Sequence, residues 1–425
     1  MFQRCIESSR FGAIYSIREK QVKNGIKDIY REDVPFRPYL TALLTFGIAL
    51  GLYKGIQDNY LAEIVAMGEF DRGIAEFFRE LPGLLLVGVL ALLYRFSAEK
   101  IFRIGSIVML AGMTMLAIVP AERVIVTLSI CIMSLGEHIQ LGMRNALGVQ
   151  YAKPGKSGLS MGKQTSIYDL GTLVGFIIIT VAFLLIPSGA TAFRLFFTAS
   201  ASIILLGAVS SLRMKSGSQN DANKRRFYFR KKYTKYYLLE VTYGARKQVF
   251  FTFGPYLLVL HYGAGTSLMG LLFAVSAICC SLLSPLVGRL IDRVGYKTVM
   301  VSDTLILVVV CFFYGYAEYF FPTSVAFVIC CCMYVLDSVI SLASMASNVY
   351  VQDLSDSPEE TRATISTGVS VNHFVTIFVA LLGGWVWKIT GIETLFTISA
   401  VIGLLNSIYA ATIKTSRNLA GKQAA

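Results

Sequence analysis

Long apolar stretches dominate the chain, and short polar segments separate them. A helix that crosses a membrane needs about twenty mostly apolar residues, and twelve segments of the sequence meet that requirement. The predicted spans are residues 38–66, 73–95, 101–120, 123–150, 158–187, 191–212, 235–261, 266–290, 297–319, 323–350, 361–388 and 391–413. Because the apolar residues run continuously instead of alternating with a period of two, the pattern predicts an all-α polytopic membrane protein and excludes a barrel.

Composition supports the same class of protein. Of 425 residues, 55% are hydrophobic and only 15% are charged, whereas a soluble domain carries about a quarter charged residues. Seven of the eight cysteines lie inside apolar spans, without metal-type spacing, and the three histidines at positions 138, 261 and 373 are scattered. The sequence therefore predicts neither a metal site nor a cofactor.

The net charge of +13 is concentrated in two places. Eight basic residues lie in the first 37 positions, and eight more lie between Lys215 and Lys235. Lys and Arg accumulate in cytoplasmic loops of membrane proteins, so we expect both termini in the cytoplasm and the chain in the inner (plasma) membrane. Contact of these segments with anionic lipid headgroups is a second possibility; binding of nucleic acid is not expected.

The chain also divides into two halves of six spans. The segment Asn145–Gln150, followed by Pro154, has a counterpart in Asn348–Gln352, followed by Pro358. The predicted units are a basic N-terminal extension (1–37), a first half (38–212), a basic linker (213–234), a second half (235–413) and a C-terminal tail (414–425). An internal repeat of this kind is typical of secondary transporters.

One inter-helix loop carries a recognisable motif. It contains Gly288, Asp292, Arg293, Gly295 and Lys297 in the order Gly-x-x-x-Asp-Arg-x-Gly-x-Lys, which resembles the loop signature of the major facilitator superfamily. Glycine allows close helix packing and tight turns, and the Asp can accept hydrogen bonds at a neighbouring helix N-terminus. The resemblance implies twelve helices in two pseudo-symmetric halves, alternating access of those halves, and a gating role for this loop.

The first half departs from the pattern. The family usually repeats the motif between its second and third spans, but here Gly88 is followed by Arg95 and Glu99 with no Asp at the expected place. We expect Glu99, paired with Arg95 or Arg103, to substitute.

Ionisable residues inside the spans are the candidate site. Each costs at least about 2.5–3.5 kcal/mol at mid-bilayer, so it faces protein or water. Lys54 in the first span and Arg246 in the seventh lie at comparable depth, and the resemblance implies that these two helices face each other across a cavity. We expect both to bind an anionic solute; the other candidate binding residues are Lys247, Arg144, Tyr53, Gln57, Tyr243 and Gln140.

Proton coupling requires a buried group that can titrate. The candidates are Asp58, Glu137 and His138, which lie deep and close to cations. Simple ion pairing, for example of Lys54 with Asp58, remains an alternative. For Glu76, Arg79 and Glu80, near the outer end of the second span, we expect only ion pairing among hydrated, shallow side chains.

Three functions remain open at this stage. The leading one is a secondary active transporter of a small organic, anionic solute, with protons as the coupling ion or as an exchanger that needs none. The alternatives are a proton-driven efflux pump for amphipathic compounds and a non-transporting receptor or assembly protein with the same fold. An enzyme is not expected, and because nothing in the sequence indicates an oligomer, we expect a monomer.

Overall fold

The computed structural model describes residues 29–93, 95–215 and 229–413. Within them, twelve long helices follow one another: α1 (Phe36–Ile64), α2 (Glu69–Leu92), α3 (Ala98–Ile118), α4 (Arg123–Gln150), α5 (Ser157–Leu185), α6 (Ala190–Leu212), α7 (Thr234–Leu260), α8 (Thr266–Val294), α9 (Tyr296–Phe320), α10 (Thr323–Leu354), α11 (Pro358–Thr390) and α12 (Ile392–Ala411). These helices confirm the predicted architecture, and none of their ends differs from its prediction by more than four residues.

Ten of these helices are long and apolar enough to cross a membrane. The two exceptions are α2 and α7, which carry charged side chains in their middle turns. Because a charge at this depth must be shielded by protein or water, these two helices are where function is expected. Most of the predicted N-terminal extension (residues 1–28), most of the linker (216–228) and the tail (414–425) lie outside the described residues.

The two six-helix halves repeat the same packing. In the first half α1 packs against α5 and α6, and α3 packs against α4 and α6. In the second half α7 packs against α11 and α12, and α9 packs against α10 and α12. The halves meet along two seams, α2 with α11 and α5 with α8, which are equivalent under the repeat. The space between these seams is where a solute path can run.

Glycines let the helix backbones approach closely at the core of the first half and at one seam. A Cβ on Gly51 of α1 would lie 2.2 Å from the Thr172 carbonyl oxygen of α5. On the α2–α11 seam, a Cβ on Gly73 would lie 2.6 Å from the Ala380 carbonyl oxygen, and one on Gly384 would lie 2.7 Å from that of Glu69. Such contacts between small residues are the usual basis of helix association in membranes.

We call the face with the α2–α3, α4–α5, α8–α9 and α10–α11 connections the terminal face, and the other the opposite face. The halves are hydrogen-bonded to each other at the opposite face. Asn59 Nδ2 donates to the Ala264 carbonyl at 2.8 Å, Tyr256 Oη donates to the Met67 carbonyl at 2.7 Å, and Ser267 Oγ donates to the Thr180 carbonyl at 2.8 Å. Two further contacts between the halves, Gln248 with Glu76 and His373 with Glu80, lie in the middle of the bundle. The structure is therefore closed on the opposite face.

Hydrogen bonds and ion pairs hold two chain segments at the terminal face. The residues before α1 run along the α4–α5 connection, with Arg31 N donating to the Tyr151 carbonyl at 2.9 Å and Lys153 N donating to the Ile29 carbonyl at 2.9 Å. Just before α7, Lys232 Nζ lies 2.7 Å from a carboxylate oxygen of Asp356 and 2.8 Å from one of Glu360. These hydrogen bonds raise the pKa of Lys232, so the charge that ties the end of the linker to α11 persists at any physiological pH.

Candidate functional site

A cavity of about 200 Å³ lies between the two halves. Its wall consists of Tyr53, Lys54, Gln57, Asp58, Arg72, Arg79, Glu137, Phe176, Phe251, Pro255, Phe273, Ser276 and Tyr334. Every charged side chain in the wall belongs to the first half, from α1, α2 and α4. The second half contributes only aromatic, proline and serine side chains. The cavity therefore has one charged side and one largely apolar side.

Lys54 is the cation in this wall that is most accessible. Its Nζ lies 3.6 Å from Glu137 Oε1, and its side chain is 36% exposed. That distance is longer than an ordinary hydrogen bond, and Glu137 Oε2 has no hydrogen-bond partner among the described residues. Lys54 can therefore exchange this loose contact for a hydrogen bond to an anionic group in the cavity.

The two arginines of the wall are bound far more tightly. Arg72 Nε donates to Asp58 Oδ1 at 3.1 Å, and Arg72 Nη1 donates to Glu76 Oε2 at 2.8 Å. Arg79 donates to Glu76 through Nε at 2.9 Å and through Nη2 at 2.5 Å, and it also donates to Glu80. Paired guanidinium–carboxylate contacts of this kind are the strong form of charged hydrogen bond. Each arginine is therefore held by two carboxylates, whereas Lys54 has a single loose contact.

The position of this charged stripe on α2 corrects one prediction and one alternative. Glu76, Arg79 and Glu80 were expected to be shallow and hydrated, but Glu76 is fully buried and the other two are 9% exposed or less. Asp58 pairs with Arg72 instead of Lys54, although Arg72 was expected in a loop. The reason is that α2 begins at Glu69, four residues earlier than predicted, and its polar stripe faces other helices instead of solvent.

The stripe also bonds the first half to the second. Gln248 Nε2 of α7 donates to Glu76 Oε1 at 2.9 Å, and His373 Nδ1 of α11 lies 2.8 Å from Glu80 Oε2. The Arg79 guanidinium lies 5.0 Å from the centre of the Phe251 ring of α7, within the range of a cation–π contact. Neither Gln248 nor His373 had been assigned a role from the sequence. The available signal was the stripe itself, with charges at 72, 76, 79 and 80 on one side of an otherwise apolar helix.

Arg246 lies elsewhere, inside the second half. It is 3% exposed, donates to Asp303 of α9, and stacks on the Tyr243 ring at 4.7 Å. A second, much smaller cavity beside it is lined by Tyr243, Arg246, Lys247, Leu307, Asp337, Ile340 and Ser341. The structure therefore does not bring Arg246 and Lys54 together in one cavity, and Lys247 lies with Arg246.

Four other predicted residues do not line the main cavity. Gln140 is buried and donates to Ser106 of α3 at 3.0 Å, and the Arg144 guanidinium lies 4.1 Å from the centre of the Tyr168 ring. Tyr243 Oη donates to the Ser341 carbonyl at 2.9 Å. His138 is buried against the α2–α11 seam, with its ring 5.3 Å from that of His373. Among the predicted residues, Tyr53, Lys54, Gln57, Asp58 and Glu137 line the main cavity.

The motif loop lies between α8 and α9. Gly295 alone joins the two helices, with φ of 87°, a conformation that favours glycine. Lys297 Nζ donates to the Ile413 carbonyl at 3.0 Å, just past the end of α12. Asp292 and Arg293 are exposed, and an added Cβ on Gly288 would meet nothing within 4 Å. Gly288 therefore does not serve the close packing expected of it in this conformation.

In the first half, Glu99 stands near the position of the missing Asp. It is fully buried and accepts a hydrogen bond from Gln150 Nε2 at the end of α4, at 2.7 Å. Arg103 donates from Nε to the Ser211 carbonyl at 2.9 Å, near the end of α6. These contacts join the start of α3 to two other helices of the same half.

Several solved structures share this fold. The nucleoside transporter NupG, in a mutant form, superposes with a TM-score of 0.70 at 17% identity, covering 89% of this chain and 100% of its own. The D-xylose-proton symporter gives 0.67 at 15% identity, covering 90% and 98%. A bacterial homologue of the iron transporter ferroportin, in an inward-facing state, gives 0.66 at 14% identity, covering 88% and 97%. At these identities the likeness establishes the fold alone.

Among curated proteins, no relative matches the sequence. The family profile described as Major Facilitator Superfamily matches residues 77–367 and 236–423, which together span most of the chain. With the twelve helices, the repeated halves and the central cavity, this match identifies the chain as a multi-pass membrane protein that belongs to the major facilitator superfamily of transporters.

Proposed function

We propose that the protein is a secondary active transporter that moves a small organic solute with an acidic group, by alternating access of its two halves. The observation that carries this proposal is the contrast among the cations of the central cavity. Arg72 and Arg79 each bind two carboxylates, whereas Lys54 has one loose contact and a side chain that is 36% exposed. The ammonium group of Lys54 would act as a point charge that attracts a carboxylate or phosphate of the solute.

The division of the cavity wall supports a particular kind of solute. Its acidic group would face the first half, and an apolar or aromatic part would face Phe251, Phe273 and Tyr334 of the second half. The cavity volume of about 200 Å³ is below the range of about 300–1,000 Å³ that drug-sized ligands occupy. Both features favour a small organic acid over the bulky cationic compounds that the alternative efflux pump would carry.

The charge of the two faces supports an orientation. Basic residues of the described chain lie mainly at the terminal face, among them Lys100, Arg103, Lys153, Lys156, Lys163, Arg289, Arg293 and Lys297, while Arg123 and Arg194 lie at the opposite face. By the positive-inside rule we place the terminal face, with both termini, in the cytoplasm. The protein would then lie in the inner (plasma) membrane in a state closed toward the outside.

A thermal-shift screen of purified protein against small organic acids tests the solute class. An acid that binds should stabilise the parent protein, and Lys54→Ala should weaken its apparent affinity at least about tenfold, a loss of about 1.4 kcal/mol. Lys54→Arg should retain part of the affinity. The matched control is Lys100→Ala, since Lys100 is exposed at the terminal face. Equal affinity for the parent and Lys54→Ala would refute the assignment.

For coupling, we propose that Asp58 takes up the transported proton when its contact with Arg72 loosens between states. Asp58 lies in the cavity wall, and its carboxylate depends on a single arginine, whereas Glu76 is held by two. The charged and titratable groups that act on it are Arg72, Glu76 and Arg79 from α2, Tyr256 from α7 and Tyr334 from α10.

The Asp58→Asn variant separates coupling from transport. In proteoliposomes it should lose accumulation of solute driven by an imposed pH gradient, because the amide cannot carry the proton. It should keep solute exchange, which needs no net proton movement. Asp58→Glu is the matched control that keeps the acid. Gradient-driven accumulation by Asp58→Asn at the parent rate would assign the coupling to another group, and absence of gradient-driven accumulation by the parent would show that the protein is an exchanger.

A further inference from the structure

A second polar cluster lies beside the cavity, on the α2–α11 seam. Glu80 of α2, His138 of α4 and His373 of α11 offer three ligand atoms that all lie within 4.8 Å of one another. Glu80 and His138 are 5% and 6% exposed, and His373 Nδ1 lies 2.8 Å from Glu80 Oε2. Two of the chain's three histidines therefore meet at one buried carboxylate, although they belong to opposite halves.

The hydrogen bonds of His138 fix its tautomer. Its Nδ1 lies 2.9 Å from the Ser134 carbonyl oxygen, which can only accept, so Nδ1 carries the proton. Nε2 then presents a lone pair to the cluster. A backbone carbonyl that orients a histidine in this way is the usual outer-shell partner of a metal-binding imidazole.

Gly83 lets both imidazoles pack against the backbone of α2. A Cβ built on Gly83 would lie 2.7 Å from His138 Nε2 and 3.0 Å from His373 Nδ1. Any larger residue at position 83 would therefore displace these two nitrogens. Bonds of zinc to nitrogen and carboxylate ligands are about 2.0–2.2 Å long, so small side-chain rotations would place one ion among the three atoms.

The charge of the surrounding network favours a cation. Three buried carboxylates, on Asp58, Glu76 and Glu80, are matched by only two guanidinium groups, on Arg72 and Arg79. The nearby pair of Lys54 and Glu137 is neutral and does not change this balance. The third negative charge needs a third positive charge, which either a protonated His373, 2.8 Å from Glu80, or a bound cation can supply.

We propose that Glu80, His138 and His373 bind a transition-metal ion of the Zn²⁺ class. Imidazole and carboxylate ligands suit this class of ion, and three protein ligands leave a fourth position open. Glu80 and His138 come from the first half and His373 from the second, so the bound ion bridges the α2–α11 seam. This inference does not rest on the identity of the solute or on Lys54.

Titration of the purified full-length protein with Zn²⁺ tests the proposal. One Zn²⁺ per chain should raise the thermal midpoint of the parent, and the His138→Gln and His373→Gln variants should weaken this binding at least about tenfold. His261→Gln is the matched control, because His261 is the third histidine and lies exposed at the opposite face beside Glu318. Binding by the chain's cysteine thiols would be the same in all four proteins.

Two further measurements keep the test decisive. Gly83→Ala retains all three ligands, but its added Cβ would displace the imidazoles of His138 and His373, so it should lose the Zn²⁺ effect. Co²⁺ bound to the parent should give a spectrum without thiolate charge-transfer bands. Absence of Zn²⁺ stabilisation in the parent, or equal stabilisation of the parent, His138→Gln, His373→Gln and Gly83→Ala, would overturn the proposal and leave the Lys54 results unaffected.

Discussion

Replacing Glu76 with glutamine should destabilise the protein by about 3–5 kcal/mol, the range measured when one partner of a buried ion pair is removed. Glu76 is fully buried between two arginines. Without its charge, Arg72 keeps only Asp58 and Arg79 keeps only Glu80. The variant should show a strongly lowered thermal midpoint in detergent and poor recovery as a monodisperse species.

The geometry of Glu76 makes the isosteric amide a poor substitute. Its two oxygens accept four hydrogen bonds, one from Arg72, two from Arg79 and one from Gln248. An amide nitrogen in place of either oxygen would point a donor at another donor, and a buried unpaired donor costs about 1–3 kcal/mol.

The matched control for this change is Glu122→Gln. Glu122 precedes α4 at the opposite face and is exposed, so its loss should change the midpoint little. If Glu76→Gln unfolds at the same temperature as the parent and Glu122→Gln, the buried network on α2 is not a structural element of the bundle.

The second large effect is expected at Arg246. Arg246→Ala should destabilise the second half by about 3–5 kcal/mol, because it leaves Asp303 buried without its cation. Asp337, which lines the same small cavity, would lose a compensating charge as well. The thermal midpoint and the yield of folded protein measure this loss.

A double variant tells a structural role of Arg246 from a binding role. Apolar residues of similar volume often replace a buried ion pair without loss of stability, so Arg246→Met combined with Asp303→Leu should recover most of the midpoint. Lys247→Met is the control on the same helix, since Lys247 is exposed. A double variant that folds but no longer binds the solute would restore Arg246 to the binding site and contradict the placement described here.

The helices could be predicted from the sequence because membrane burial is a local, one-dimensional property. Each apolar run is long enough to span the bilayer, and its ends are marked by polar residues, so predicted and observed bounds differ by at most four residues. The turn at Gly295 is local too, since α8 and α9 are joined by one residue with positive φ. Packing did not enter either prediction.

The site was harder to predict because it depends on which face of each helix meets its neighbours. Lys54 was placed in the cavity by its depth and by the family resemblance, Asp58 and Glu137 by their depth and the cations near them, and all three line it. The same reasoning from depth was wrong for Arg246, which is equally deep but pairs with Asp303 of α9. It also failed for Glu76 and Glu80, whose partners Gln248 and His373 are supplied by the other half. The spacing of residues along the sequence does not reveal such contacts between residues that are far apart in the chain.

Counterflow of a small organic acid in proteoliposomes tests the central claim most directly. The acid is one that stabilises the parent protein, and the parent, Lys54→Ala, Lys54→Arg and Lys100→Ala proteins are compared at equal amounts of folded protein. We expect saturable counterflow by the parent and Lys100→Ala, an intermediate rate for Lys54→Arg, and a rate at least about tenfold lower for Lys54→Ala. Counterflow by folded Lys54→Ala at the parent rate would contradict the account.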